Sequence, residues 1–417
     1  MEKKIITVHK KNKSARGTIK LDGSKSISNR VLIIRALTSS PFKIHNLSTS
    51  DDTVALNRIL STDKDIYNTG AAGTTFRFLT AYLSTQDKKC TLTGSERMKQ
   101  RPIGGLVDPL RELGANIQYL EKDGYPPLQF EPGILDATNK LSVKSNISSQ
   151  FITALLLIAP TLPNGLEIDL EGDMVSRSYI ELTLHIMKDF GIQYKWEGSL
   201  ISIPHQEYIA KEYTVESDWS AASYYYSIAA LADDSEIELK GLFDNSFQGD
   251  SAAVDLYKNF GIRTIFNDDG ITIQKSGEIA PVFEHDFILC PDIAQTIAVT
   301  CAGTGTEGLF TGLQTLSIKE TDRITALQNE LGKMDVSFVK MPPKFSSKSG
   351  KEYYMINGQA KFPETITFPT YEDHRMAMAF APLAILHPIR VEEPKVVGKS
   401  YPEFWKDLKL LGFEINE

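Results

Sequence analysis

Three segments in the second half of this 417-residue chain bring together the residue types that move protons. Asp292 follows Pro291 at a predicted helix start, Pro-Asp-Ile-Ala-Gln-Thr-Ile-Ala. Lys319-Glu320-Thr321-Asp322-Arg323 places four charged side chains before Ile324 and Leu327, and Asp373-His374-Arg375 opens an apolar helix. Carboxylates at such places can take or give a proton, and the lysine and arginines beside them can hold an anion. Read alone, the Lys319–Arg323 run is more simply a solvated helix start whose acids face the helix dipole.

The first half is rich in loops suited to anions. Gly23-Ser24-Lys25-Ser26-Ile27-Ser28-Asn29-Arg30 enters the apolar run Val31–Ile34, so free backbone N–H groups and the positive helix end would lie beside Lys25, Ser26 and Arg30. Gly70-Ala71-Ala72-Gly73-Thr74-Thr75-Phe76-Arg77, the Arg97–Arg101 stretch before Pro102, Ser148-Ser149-Gln150 and Ser176-Arg177-Ser178-Tyr179 share this character. Each segment by itself reads as plain helix capping; their number in one acidic protein is what points to anionic ligands. A nucleotide P-loop is disfavoured. The Gly23 loop lacks the GxxxxGK[ST] spacing, and before Gly398-Lys399-Ser400 the first glycine is replaced by Glu393.

The elements that must carry these loops repeat. An amphipathic helix, a glycine and an alternating strand recur at Leu110–Gly114, Met187–Gly191, Leu256–Gly261, Leu327–Gly332 and Leu408–Gly412, with a degenerate copy at Val54–Ile66. Each glycine suits the left-handed position that ends a helix and releases a strand. Six such units in two domains would fill the chain. The composition agrees with a globular α/β protein: 41% hydrophobic and 24% charged residues. No apolar run approaches the ~20 residues that cross a bilayer, so no membrane association is expected. The basic N-terminal stretch has too short an apolar patch for a signal peptide, which predicts the cytoplasm. A net charge of -8 argues against nucleic acid. Cys90, Cys290 and Cys301 sit at no CxxC spacing and read as small buried side chains. Without an HExxH or clustered cysteines, no metal is expected. No oligomerisation segment is visible, so a monomer is the default.

Taken in order, these segments resemble one family. Gly-Ser-Lys-Ser-x-Ser-Asn-Arg, Ala-Gly-Thr-x-x-Arg, Arg-Pro-Ile-x-x-Leu, Ser-Ser-Gln-Phe-x-Thr-Ala-Leu, Lys-Glu-Thr-Asp-Arg and Asp-His-Arg-Met-Ala-Met are similar to the motifs of the 5-enolpyruvylshikimate-3-phosphate synthases, from about residue 18 onward. The resemblance implies an α/β (α+β) fold of two lobes, each of three βαβαββ units around buried helices. It puts residues 22–217 in one lobe and 1–21 with 218–417 in the other, with the active site in a cleft that closes on substrate.

The resemblance also implies the chemistry: transfer of the enolpyruvyl group of phosphoenolpyruvate to the 5-hydroxyl of shikimate 3-phosphate, with no cofactor. Residues matching the shikimate 3-phosphate site are Lys25, Ser26, Arg30, Ser148, Ser149, Gln150, Ser176, Tyr179, Asp292 and Lys319. Those matching the phosphoenolpyruvate site are Lys25, Gly73, Arg101, Gln150, Arg323, Arg375 and Lys399. Asp292 is expected as the base and Glu320 as the acid, with Lys25 sharing proton transfer. The chain departs from the family at Ala71 (often Asn), Phe78 (often Pro) and Thr315 (often Asn). These departures bear on phosphate contacts and on the family's inhibitor glyphosate. Two rivals are a UDP-N-acetylglucosamine enolpyruvyl transferase and a non-catalytic sensor of phosphorylated metabolites. The first is disfavoured because Lys25 is followed by Ser26, not Asn, and the Glu96–Pro102 loop lacks a cysteine. The second is disfavoured because every acid–base candidate is present.

Overall fold

The computed structural model describes residues 4–144, 148–172, 177–346 and 350–417. It divides into two compact units: Gly23–Val215, and Met1–Asp22 together with Glu216–Glu417.

One strand arrangement recurs through both units. In the Gly23–Val215 unit, strand Ile66–Asn68 pairs in parallel with Cys90–Thr93, which pairs antiparallel with Leu128–Glu131, itself antiparallel to Asn116–Tyr119. A parallel pair cannot be joined by a hairpin, so a helix, Gly73–Ser84, fills the crossover. Strands Lys140–Lys144, Leu166–Glu171, Leu200–Ile203 and Lys195–Glu197 repeat the pattern around helix Ser149–Ile158. The other unit has three more copies, whose parallel pairs are Ser14–Lys20 with Asp234–Lys240, Val282–Asp286 with Glu307–Thr311, and Thr367–Phe368 with Ile389–Glu392. A sixth copy is reduced, among the described residues, to the parallel pair Ile44–His45 and Tyr213–Thr214. The expected βαβαββ units are thus borne out.

Two copies borrow strands from the chain start. Ile5–His9 pairs with Ile389–Glu392 and Glu414–Asn416, completing the last sheet. Ser14–Lys20 opens a sheet that resumes only at helix Trp219–Leu231 and strand Asp234–Lys240. These pairings place the N-terminal segment with the C-terminal half.

The helix in each parallel crossover is buried on nearly all sides. In Ser149–Ile158 every residue from Phe151 onward is buried; in Trp219–Leu231 all but Ser220 are. Helices Lys25–Leu37, Gly73–Ser84 and Ser149–Ile158 pack on one another, as do Trp219–Leu231 and His374–Phe380 on Ala294–Thr304 and its extension. A helix apolar all round belongs in a core, and these six form the two hydrophobic centres. No described helix is long and apolar enough to cross a membrane.

The repeated glycines hold with one correction. Gly114, Gly191, Gly261 and Gly412 have φ of 110, 89, 71 and 82°. At Gly191 the N–H groups of Gly191 and Ile192 donate to the carbonyls of Lys188 and Met187, the paired bonds of a Schellman stop. Gly332, read from the sequence as the fourth such glycine, instead lies inside helix Arg323–Gly332. The same two bonds occur three residues on, from Asp335 to Gly332 and from Val336 to Leu331, with Asp335 at φ 60°. Aspartate is one of the few side chains that enter this region without large strain, so the repeat continues there without its glycine.

Candidate functional site

The N-terminal ends of the buried helices carry most of the expected site residues. In the Gly23–Val215 unit, Ser148 caps helix Ser149–Ile158, its hydroxyl accepting from the Gln150 N–H at 3.3 Å. That cap fixes the first turn, from which Gln150 Oε1 accepts from Arg77 Nη1 at 2.9 Å. A Cβ on Gly73 would lie 2.4 Å from an Arg101 guanidinium nitrogen and 2.9 Å from one of Arg77. Only glycine allows both arginines that close to a helix N-terminus, which makes a concentrated site for an anionic oxygen. Arg77 belonged to a motif noted in the sequence but not to the expected ligand set.

Lys25 begins helix Lys25–Leu37, and its Nζ lies 4.0 Å from Asp52. Arg30, one turn later, is buried and spends its guanidinium on neutral oxygens: the Ser26 carbonyl at 2.7 Å, Thr183 Oγ1 at 2.9 Å, and Thr153 Oγ1 and the Tyr179 carbonyl at 3.3 and 3.2 Å. Phe78 lies under it, 5.7 Å from ring centroid to guanidinium carbon. Burial lowers the Arg30 pKa to about 10, and among the described residues no carboxylate pairs with it. A buried cation without an anion is costly, and a bound anion nearby would offset that cost. Ser26, Arg30 and Tyr179 are therefore brought together, and the Phe78 departure touches Arg30. Ala71 is exposed in the turn before Gly73. Ser149 opens its helix, while Ser176 lies outside the described residues.

In the other unit a denser cluster forms around Arg323, which is 1% exposed. Its Nε and Nη2 fork onto Asp373 at 2.7 and 3.3 Å. Nη1 reaches Asp292 Oδ1 at 3.2 Å and Nη2 reaches Glu320 Oε2 at 3.0 Å. Burial alone would lower the Arg323 pKa, but Asp373, Glu320 and Asp292 more than reverse it, and the net shift is upward. Arg375 Nη2 holds the second Asp292 oxygen at 3.0 Å, and Lys319 Nζ lies 3.6 Å from the first. Asp322 and Asp373 are helix N-caps, accepting from Ile324 and Arg375 backbone N–H groups at 3.1 and 2.8 Å. Capping fixes the first turns of the two helices, from which the Arg323 and Arg375 side chains extend.

Five expected residues, Asp292, Lys319, Glu320, Arg323 and Arg375, thus form one network. Lys399 stays outside it, donating to the Glu372 carbonyl at 2.6 Å. The Thr315 hydroxyl is buried without a hydrogen-bond partner among the described residues. The three cysteines are buried and free; burial pushes the Cys90 thiol up to about 11 and raises the other two further, as befits inert packing groups. Sequence reading missed Asp250 and Ser220. Asp250 is buried and takes a hydrogen bond from the Ser220 hydroxyl, which meets Arg375 on its other side. A lone Gly-Asp pair carries no local sign of burial, so no sequence signal would have found it.

Chemically, one cluster offers arginines, helix N-termini and hydroxyls for anions. The other offers two carboxylates, partly open, tied to cations. The family model described as EPSP synthase (3-phosphoshikimate 1-carboxyvinyltransferase) matches residues 9–62 and 54–408. A 3-phosphoshikimate 1-carboxyvinyltransferase of Bacteroides fragilis (strain YCH46) is 47% identical over 403 residues, 96% of each chain. One from Vibrio atlanticus (strain LGP32) is 34% identical over 432 residues, covering 95% of this chain and 96% of its own. A solved EPSP synthase structure from Acinetobacter baumannii matches with a TM-score of 0.80 over 99% of this chain and 100% of that one. At 20% identity that is a likeness of fold. The motifs, the repeated units and these relatives agree: the chain belongs to the EPSP synthase family.

Proposed function

We infer that this protein is a transferase of the shikimate pathway, joining the enolpyruvyl group of phosphoenolpyruvate to the 5-hydroxyl of shikimate 3-phosphate with release of phosphate. The hydroxyl oxygen attacks C2 of phosphoenolpyruvate while C3 takes a proton. The tetrahedral intermediate then loses phosphate from C2 and a proton from C3, leaving a vinyl ether.

The observation that carries the assignment of roles is the sharing of Arg323 by Asp292 and Glu320. A base and an acid that must act on neighbouring atoms are held by one buried guanidinium, both within 3.2 Å of it. Asp292 takes the hydroxyl proton. Glu320 gives a proton to C3 and recovers it in the elimination. Lys25 shares in proton transfer. Arg323, Arg375 and Lys399 bind phosphoenolpyruvate together with Lys25, Gly73, Arg101 and Gln150. Shikimate 3-phosphate takes Lys25, Ser26, Arg30, Ser148, Ser149, Gln150, Ser176, Tyr179, Asp292 and Lys319. Support comes from the uncompensated Arg30 and from the arginines gathered at Gly73, both suited to polyanions. The enzyme acts as a cytoplasmic monomer, without nucleic acid or cofactor.

Phosphate release with phosphoenolpyruvate and shikimate 3-phosphate, run beside UDP-N-acetylglucosamine as acceptor, tests the reading. Turnover with shikimate 3-phosphate alone is expected. Turnover only with the nucleotide sugar, or tight binding without turnover, would overturn it. Lys25→Met is expected to raise KM for both substrates, because Lys25 is assigned to each. A loss confined to one substrate would refute that placement.

A further inference from the structure

Asp250 is 6% exposed in the 3-10 turn Gly249–Ala252, and the mechanism above does not use it. Its Oδ2 accepts a hydrogen bond from the Ser220 hydroxyl. The Ser220 oxygen in turn accepts from Arg375 Nη2 at 3.4 Å. That same nitrogen holds Asp292 Oδ2 at 3.0 Å, and Arg375 Nη1 donates to the Asp292 carbonyl at 3.1 Å. Two carboxyls therefore compete for one guanidinium, Asp292 directly and Asp250 through a hydroxyl.

The other groups around Asp250 are few. Asp218, the N-cap of helix Trp219–Leu231, adds negative charge, and Cys290 lies before the Pro291–Ile293 turn with its thiol raised by burial. On the preceding segment Glu216 is taken up by Gln248, Ser246 and Trp219, and on the following turn Asp255 pairs with Lys258 at 2.6 Å. Burial and the Asp292 charge push the Asp250 carboxyl up to about 7, against the pull of Arg375 and the Ser220 hydrogen bond. Its charge changes near neutrality.

We propose that Asp250 is a positioning residue that sets the placement and basicity of Asp292 through Ser220 and Arg375. The proposal rests on the assignment of Asp292 as the base. With Asp250 neutral, it no longer competes for Arg375, whose charge then weakens Asp292 as a base. Ionised Asp250 draws on the same guanidinium and repels the Asp292 charge, so Asp292 binds a proton more strongly.

The test is kcat and KM across about pH 5 to 9 for wild type, Asp250→Asn, Asp250→Glu and Ser220→Ala. Wild-type kcat is expected to rise through a limb near pH 7. Asp250→Asn should lose that limb and fall about tenfold in kcat on its alkaline side, the effect of about one unit in Asp292 basicity, with each KM changed less than about threefold. Asp250→Glu should restore the limb. Should Asp250→Asn not fold, Ser220→Ala, which keeps both carboxyls, should move the limb by about one unit.

A readout free of turnover accompanies it. Because the native Asp250 pKa is raised above the ordinary aspartate value of 3.8, its stabilising contribution is present below that value and is lost as pH rises through about 7. Unfolding by denaturant should show this loss in wild type and not in Asp250→Asn. A profile of unchanged shape in Asp250→Asn, or in Ser220→Ala where the first does not fold, would overturn the proposal while wild-type turnover stands. Absence of wild-type turnover would instead overturn the functional reading, and this proposal with it.

Discussion

Replacing Glu320 with alanine is expected to lower kcat by roughly 10²–10⁴, the range for losing a general acid, while the protein stays folded. Glu320 Oε2 accepts from Arg323 Nη2 at 3.0 Å, but its side chain is 27% exposed where Arg323 is 2% exposed. It is therefore the open end of the network, the carboxyl that solvent reaches. Removing it leaves Arg323 forked onto Asp373 and bonded to Asp292, so the buried charge keeps its partners. Because the carboxyl is assigned to the reacting atoms and not to binding, the loss should fall on kcat more than on either KM. Glu320→Gln, which keeps the hydrogen-bonding capacity, should be similarly slow. Steady-state phosphate release with denaturant unfolding of the same preparations separates the two effects. Activity within a few-fold of wild type would remove Glu320 from the mechanism.

Asp373→Ala should act mainly on stability, by about 3–5 kcal/mol, the cost of stripping a buried ion pair of one partner. Asp373 is 0% exposed and provides both oxygens of the Arg323 fork. Asp292 and Glu320 remain, but each offers Arg323 a single bond and each is partly exposed. The substitution also uncaps helix His374–Phe380, where Asp373 accepts from the Arg375 N–H; that adds about 1 kcal/mol. Asp373→Asn keeps the cap and the volume and should lose less. The check is a lowered denaturant midpoint at unchanged m. A loss below about 1 kcal/mol would mean that the two open carboxylates suffice to hold the buried charge.

Both predictions depend on contacts that no local pattern contains. Arg323 and Asp373 are separated by 50 residues, and Arg323 and Asp292 by 31. Likewise Asp250 meets Ser220 across 30 residues and Arg375 meets Ser220 across 155. The sequence marked each charged helix start, because capping acts within three or four residues: Ser148 reaches Gln150, Asp322 reaches Ile324 and Asp373 reaches Arg375. The repeat was legible for the same reason, since a helix, a left-handed stop and an alternating strand are each specified locally. Where the reading slipped, at Gly332, the structural requirement was a left-handed backbone and not a glycine. Asp335 meets it, and the glycine nearby is only a helix residue.

By itself, then, the amino-acid order determined the repeating α/β units, the motifs that place the chain in its family, and which residues open each helix. The family resemblance put residues 1–21 with 218–417, but only tertiary structure decided which strands they meet: Ile5–His9 pairs with Ile389–Glu392 and Ser14–Lys20 with Asp234–Lys240. Tertiary structure also decided that Arg30 is buried among neutral oxygens, and that Arg323 binds three carboxylates at once. The physical reason is range. Helix caps and turns are settled by neighbours along the chain, whereas the energy of a buried charge depends on which distant groups the fold brings within hydrogen-bonding distance.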